Sequence, residues 1–313
     1  MVDTRAPEVV VPPPARPPAH RMGPFRRGVR ELGLGLITAG VIILLFVTYQ
    51  LWGTGFAEAH SQSDLKRTFN QHLAQNAPAA DTATVGPSLP SAPGAGANAI
   101  GHLVIPKIGV DKFVVQGVGE EDLRRGPGHY PQTVMPGELG NSAIAGHRTT
   151  YGAPFFRLDE LAVGDDILIT NAGGRTFRYQ VSQTMIVSPN DIKVLDPTAD
   201  ARLTLTTCNP RFSATSRLVV VADLVGLPVP AAVAPTPVAQ PAIANLGQGN
   251  HGAWPPALAY GAAVLALWIA TRILINRTRR WRRLGAYVGG IGITLVPLWF
   301  CFENVVRLLP QNI

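Results

Sequence analysis

Thr204-Leu205-Thr206-Thr207-Cys208-Asn209-Pro210-Arg211-Phe212-Ser213-Ala214-Thr215-Ser216-Arg217 is the stretch from which the rest of this 313-residue chain is read. Leu203 and Leu205 point one way and Thr204 and Thr206 the other, the period of a strand with one apolar face. Asn209-Pro210 then ends the pairing, so Cys208 stands at the end of a strand. Runs of the same kind recur on both sides: His102 to Ile105, Lys112 to Val115, Ser142 to Ala145, Asp166 to Thr170, Thr176 to Val187, Arg202 to Thr207 and Arg217 to Asp223. Clusters of Gly, Pro, Asn and Asp separate them, and Gly173-Gly174 reads as a hairpin turn. The spacing predicts a mainly β fold, a barrel over residues 100–225, interrupted by short helices. The clearest helix is predicted over Pro154 to Leu161, with Phe155, Leu158 and Leu161 on one face.

Outside that region the chain is too apolar for one soluble domain. Hydrophobic residues make up 46% and charged residues only 15%. Three runs, 32–52, 258–275 and 284–302, each approach the roughly 20 residues that cross a hydrocarbon core as a helix. The first is longer than a signal-peptide core and ends in the interfacial residues Tyr49 and Trp52, so it is read as a retained span. The net charge of +7 would suit a nucleic-acid binder, but the arginines sit at membrane borders instead. Arg21, Arg26, Arg27 and Arg30 precede the first run, and Arg272, Arg277, Arg279, Arg280, Arg282 and Arg283 surround the connection between the other two. Basic flanks stay on the cytoplasmic side.

The expected order follows. A disordered basic cytoplasmic tail (1–31) leads to the first span (32–52), then an extracellular stalk and Pro/Ala/Gly linker (53–99), within which residues 58–75 have partial helical spacing. After the folded domain (100–225) come a Pro/Ala linker (226–257), the second span (258–275), an Arg-rich cytoplasmic loop (276–283), the third span (284–302) and an extracellular tail (303–313). The membrane is thus a partner and nucleic acid is not.

The chemistry centres on one thiol. Cys301 lies in the third apolar run, two crossings away, so Cys208 has no disulfide partner in the outer domain. A buried, inert cysteine is the bland alternative. A nucleophilic thiol needs a base or a positive neighbour. Of His102, His129 and His147, only His147 follows a strand end, opening the loop Arg148-Thr149-Thr150-Tyr151-Gly152. Arg217 opens the strand after Cys208 and suits a developing oxyanion. No His/Cys spacing fits a metal, and Asp111, Glu120, Glu121 and Asp122 read as a solvated loop, so neither metal nor other cofactor is expected.

With Cys208 and Arg217 nine apart and Ala145-Gly146-His147 upstream, the chain resembles the sortases. The runs Gly126-Pro127-Gly128-His129-Tyr130-Pro131 and Gly146-His147-Arg148-Thr149-Thr150-Tyr151-Gly152-Ala153-Pro154-Phe155 most resemble class E sortases of actinobacteria. The resemblance implies a closed eight-stranded sortase-type β-barrel with Cys208, His147 and Arg217 as catalytic residues and Tyr130 and Thr207 as substrate-binding positions. It implies cleavage of a C-terminal sorting signal between Thr and Gly, with Leu-Ala-x-Thr-Gly preferred. The partners it implies are exported proteins carrying that signal and an amine of a lipid-linked peptidoglycan precursor or of another protein. Two C-terminal spans resemble the anchoring of pilin-polymerising enzymes. No Asp-Pro-aromatic lid motif occurs between Gly53 and Ile100, however, which favours cell-wall attachment. A tethered binding module or a simple thiol hydrolase remain the readings from other classes.

Overall fold

The computed structural model describes residues 24–76, 99–230, 251–277 and 283–308. Its strands are β1 (Ala99–Ile105), β2 (Val110–Gln116), β3 (Gly128–His129), β4 (Asn141–Ala145), β5 (Asp166–Asn171), β6 (Thr176–Val187), β7 (Arg202–Asn209) and β8 (Ser216–Leu224). They close into one barrel in the order β1-β2-β3-β4-β7-β8-β6-β5. The β2–β3 and β4–β7 pairs are parallel and the rest antiparallel. The closed mainly β fold is as expected, with β3 added: two residues carry no readable period.

Alternation decides what fills the barrel. Leu203 and Leu205 of β7, Leu218 and Val220 of β8, and Ile167 and Ile169 of β5 join one core. Each such side chain stabilises the fold by about 1.5–3 kcal/mol when fully buried. Thr204, Thr206 and Cys208 therefore belong to the outer face of the wall, as do Ala143 and Ala145 beside them, whose cluster includes Tyr130 and Leu195.

The helix expected over Pro154 to Leu161 does not form. That segment is turns followed by a single 3-10 turn, Leu158–Glu160: the Phe155 N–H goes to the His147 carbonyl and those of Phe156, Leu158 and Leu161 go to carbonyls three residues back, so no α-helical ladder forms. Its apolar face is nonetheless correct, since Phe155, Leu158 and Leu161 all enter the core.

Helix α1 (Pro24–Thr48) begins inside the segment read as a disordered tail; residues 1–23 lie outside the described residues. A π-helical turn, Tyr49–Gly53, joins α1 to α2 (Thr54–Asn76), the expected stalk helix at greater length. Rather than standing apart, α2 buries Leu65 and Phe69 against Ala99, Phe113 and Val115. A four-residue helix, α3 (Glu120–Leu123), follows β2. The linker stretches 77–98 and 231–250 also lie outside the described residues. The second linker starts later than composition suggests, since Val229 exchanges backbone hydrogen bonds with Gly137 and Leu139 at 2.9 Å. Helices α4 (Trp254–Arg277) and α5 (Arg283–Leu308) pack on each other, with Gly290 close against Thr271 and the Tyr260 and Phe300 rings stacked at 5.3 Å. Helix α5 continues past residue 302, so Glu303 and Arg307, assigned by composition to a tail, are helical. Among the described residues, three segments are long and apolar enough to cross a membrane: Gly28–Thr48, Trp254–Ile275 and Gly285–Leu308.

Candidate active site

Two strand pairings bring the predicted residues together. In the parallel β4–β7 pair, Ala145 faces Thr206 and the Gly146 N–H donates to the Thr206 carbonyl at 3.1 Å. His147 and Cys208 each lie two residues further on, at matching ends of neighbouring strands. In the antiparallel β7–β8 pair, Cys208 is directly opposite Arg217. Residues opposed across a ladder share a face, so the guanidinium stands over the thiol: Arg217 Nη1 is 3.6 Å from Cys208 Sγ. The same nitrogen donates to the carbonyls of Ala214 and Ser216, both at 3.3 Å, which holds the fork in place.

The environment is dry. Cys208 is 1% exposed and His147 2%. Burial pushes the Cys208 thiol up to about 11, against the pull of Arg217 and Arg148. The resting group near neutral pH is therefore a thiol, and a thiolate needs a proton acceptor close by.

Arg148, which sequence reasoning quoted but gave no task, ties the site together. Its Nη1 donates to the Cys208 carbonyl at 2.9 Å and to Asn209 Oδ1 at 2.8 Å, while Nη2 pairs with Asp159 at 3.1 Å. Asp159 is also gripped by Arg211. Burial pushes the Asp159 carboxyl up, but Arg211 and Arg148 outweigh it and hold it below its usual range. The signal for Arg148 was its place beside His147; the buried carbonyl it serves is invisible in sequence.

Tyr130 and Thr207, the predicted substrate-binding positions, both border the site. The Tyr130 hydroxyl lies 3.3 Å from Thr206 Oγ1, on the outer face with Cys208. Burial raises its pKa, so it remains a neutral phenol. Thr207 is fully buried and its hydroxyl donates to the Gly146 carbonyl at 2.7 Å, pinning the histidine strand to the cysteine strand.

The other two histidines lie elsewhere. His102 stacks on Phe113 with its Nε2 2.6 Å from Asp111. His129 is fully buried with Nε2 donating to the Val134 carbonyl at 2.9 Å, and burial depresses its pKa to about 4. Among the described residues no group of three or more His, Cys, Asp or Glu side chains is placed to hold a metal.

The His147 loop is braced on its far side. The Tyr151 ring packs on His147 with centroids 5.0 Å apart, and Arg124 lies over Tyr151 at 5.3 Å. Beside them a cavity of about 480 Å³ is lined by residues that include Tyr49, Thr54, Arg124, Tyr151, Trp299 and Glu303. Of the charged groups around it, Arg124 pairs with Glu303 and with Glu120 behind the lining, and Arg307 pairs with Glu121 and Glu303.

Residues 103–225 match the sortase domain family. Among curated proteins, the chain is 34% identical over 209 residues to sortase SrtE1 of Streptomyces coelicolor, covering 61% of this chain and 55% of that protein. It is 30% identical over 220 residues to SrtE2 of the same organism, covering 64% of this chain and 83% of the relative. The chain thus spans about half the length of SrtE1 and most of SrtE2. Among solved structures, a Clostridium perfringens Sortase D5 transpeptidase is similar at 31% identity and a TM-score of 0.43, over 54% of this chain and 99% of that one.

Proposed function

The chain belongs to the sortase family, and from that premise we propose that it is a membrane-anchored cysteine transpeptidase acting on the Thr–Gly bond of a C-terminal sorting signal of the form Leu-Ala-x-Thr-Gly. One observation carries this: Cys208 paired across the ladder with Arg217, and His147 at the matching end of the adjacent strand.

In this mechanism the Cys208 thiol gives its proton to His147 as Sγ attacks the Thr carbonyl, and Arg217 stabilises the oxyanion. As the tetrahedral adduct collapses, His147 returns that proton to the glycine nitrogen and the amine leaves. A thioester remains on Cys208. An acceptor amine then attacks it, His147 takes the amine's proton, and the departing thiolate recovers it, leaving a new amide. A thioester in a site this dry survives long enough to meet an amine ahead of water.

The three apolar segments and the arginines flanking them support a cytoplasmic N-terminus, with the barrel on the outer face beside exported substrates and a lipid-linked acceptor. Tethering raises the effective concentration of both.

The test joins a fluorescent Leu-Ala-x-Thr-Gly peptide to an added amine and weighs the product by mass spectrometry. Wild-type protein gives the amide, whereas Cys208→Ala and His147→Ala give none while remaining folded. Turnover by Cys208→Ala would sink the proposal. Cleavage without transfer at saturating amine would make the protein a hydrolase instead.

A further inference from the structure

One stripe of α2 meets the barrel: Thr54, Glu58, Gln62, Leu65, Phe69 and Leu73, spaced 4, 4, 3, 4 and 4 along the helix. Its two halves do different things. Leu65 and Phe69 supply apolar contact with β1 and β2. The Gln62 amide, next to them, satisfies both backbone groups of Phe113, accepting from its N–H at 2.7 Å and donating to its carbonyl at 3.0 Å. That is enough to dock a helix.

The upper half reaches the loop that follows His147. Thr54 donates its hydroxyl proton to the Gln50 carbonyl at 2.8 Å and accepts the Tyr151 N–H at 3.2 Å. Glu58, 1% exposed, pairs with Lys112 at 2.6 Å and lies so close to Gly152 that a Cβ there would overlap its carboxylate. Burial pushes the Glu58 carboxyl up, against the bond from Lys112. Burying a threonine hydroxyl and a carboxylate is a costly way to make two surfaces adhere, for which apolar residues would serve better. What polar groups add is a fixed geometry.

The loop needs fixing. Tyr151 (φ 49°) and Ala153 (φ 43°) both occupy the left-handed region, where a residue with a side chain is held only by its surroundings. Tyr151 is also the residue whose ring packs on His147. Its N–H is the donor that Thr54 captures, so the backbone strain, the helix and the imidazole meet at one residue.

Taking His147 as the proton carrier assigned above, we propose that Thr54 and Glu58 are positioning residues for it: α2 clamps the strained 150–153 turn and thereby sets the imidazole's orientation toward Cys208. The first turns of the helix that follows the first apolar segment, though not its docking end, then serve the reaction without touching a reacting atom. Removing the clamp lets Tyr151 relax, and the imidazole loses its packed face while the barrel stays closed.

The experiment uses the full chain in detergent with the Leu-Ala-x-Thr-Gly peptide and hydroxylamine as acceptor, reading kcat, KM, the pH profile and Tm. Thr54→Val and Glu58→Gln are expected to lower kcat at least about fivefold, the scale of one lost hydrogen bond, with peptide KM within twofold and a shifted acid limb. Thr54→Ser is expected to restore the rate. Phe69→Ala, at the docking end of the stripe, is the control: Tm falls and kcat per folded molecule stays within twofold. The proposal is overturned if Thr54→Val and Glu58→Gln keep wild-type kcat, or if they lose it only in step with Tm as Phe69→Ala does. Either result, with Cys208→Ala inactive, leaves the transpeptidase assignment standing; turnover by Cys208→Ala would remove that assignment itself.

Discussion

Replacing Arg148 by methionine tests whether the thiol's strand end is held by charge. The side chain is 3% exposed and serves three acceptors: the Cys208 carbonyl, Asn209 Oδ1 and Asp159. Methionine fills much of the same volume, so a cavity contributes little. Leaving the buried Cys208 carbonyl without its donor costs about 1–3 kcal/mol. Asp159 is 41% exposed and keeps Arg211, so after solvent screening its lost pair adds no more than about 1 kcal/mol. The sum, about 1–4 kcal/mol, corresponds to a Tm fall on the order of 10 °C for a barrel of this size. Turnover is expected to fall further than stability, because the backbone released is that of Cys208, the proposed nucleophile, and a positive charge that pulls that thiol's pKa down is gone. The assay is thermal unfolding followed by circular dichroism, alongside peptide turnover per folded molecule, with Arg148→Lys as a partial substitute that cannot fork between strand and carboxylate. If Arg148→Met cost less than about 1 kcal/mol and kept kcat within twofold, the idea that this arginine clasps the site would be wrong.

Two further outcomes follow from buried groups. His129 has its pKa depressed to about 4 by burial, so the unfolded chain binds the proton first; stability is full above about 6.5 and is lost as pH falls toward 4, by roughly 3 kcal/mol at about 1.4 per unit. Urea midpoints measured across that window will show the loss, and a flat profile would contradict it. Gly146→Ala places a Cβ 2.6 Å from the ring of Phe155, which is fully buried and has nowhere to retreat; a destabilisation of about 1–3 kcal/mol with a larger loss of turnover is expected, and wild-type unfolding and rates would refute it.

Much of this was legible from alternation alone. The strands read from sequence lie within two or three residues of the observed ends, and their parity set Leu203 and Leu205 on one face and Thr204 and Thr206 on the other. The three candidate residues stood out because each lies at or just beyond a strand end, and the resemblance to the sortases joined them. What escaped had no periodic signal. Two residues are too few for β3 to show alternation. The 154–161 segment has the apolar spacing of a helix, but its amides bond to His147 and to carbonyls three residues back, a choice set by the neighbouring strand. On α2, Glu58 and Gln62 look like a solvated face, yet both are buried, because Lys112 and the Phe113 backbone answer them from a strand about fifty residues away. Polar burial of that kind depends on a partner no local pattern reveals.

The parallel pairing of β4 with β7 has a temporal consequence. Those strands are joined by more than fifty residues holding β5 and β6, and the guanidinium arrives only with β8, which is also the strand that seals the cylinder against β6. Loop closure over such distances comes late in assembly. A copy synthesised only as far as the loop after Cys208 carries the sulfur and His147 without Arg217, so in the proposed mechanism the oxyanion has no guanidinium to meet until the last strand docks.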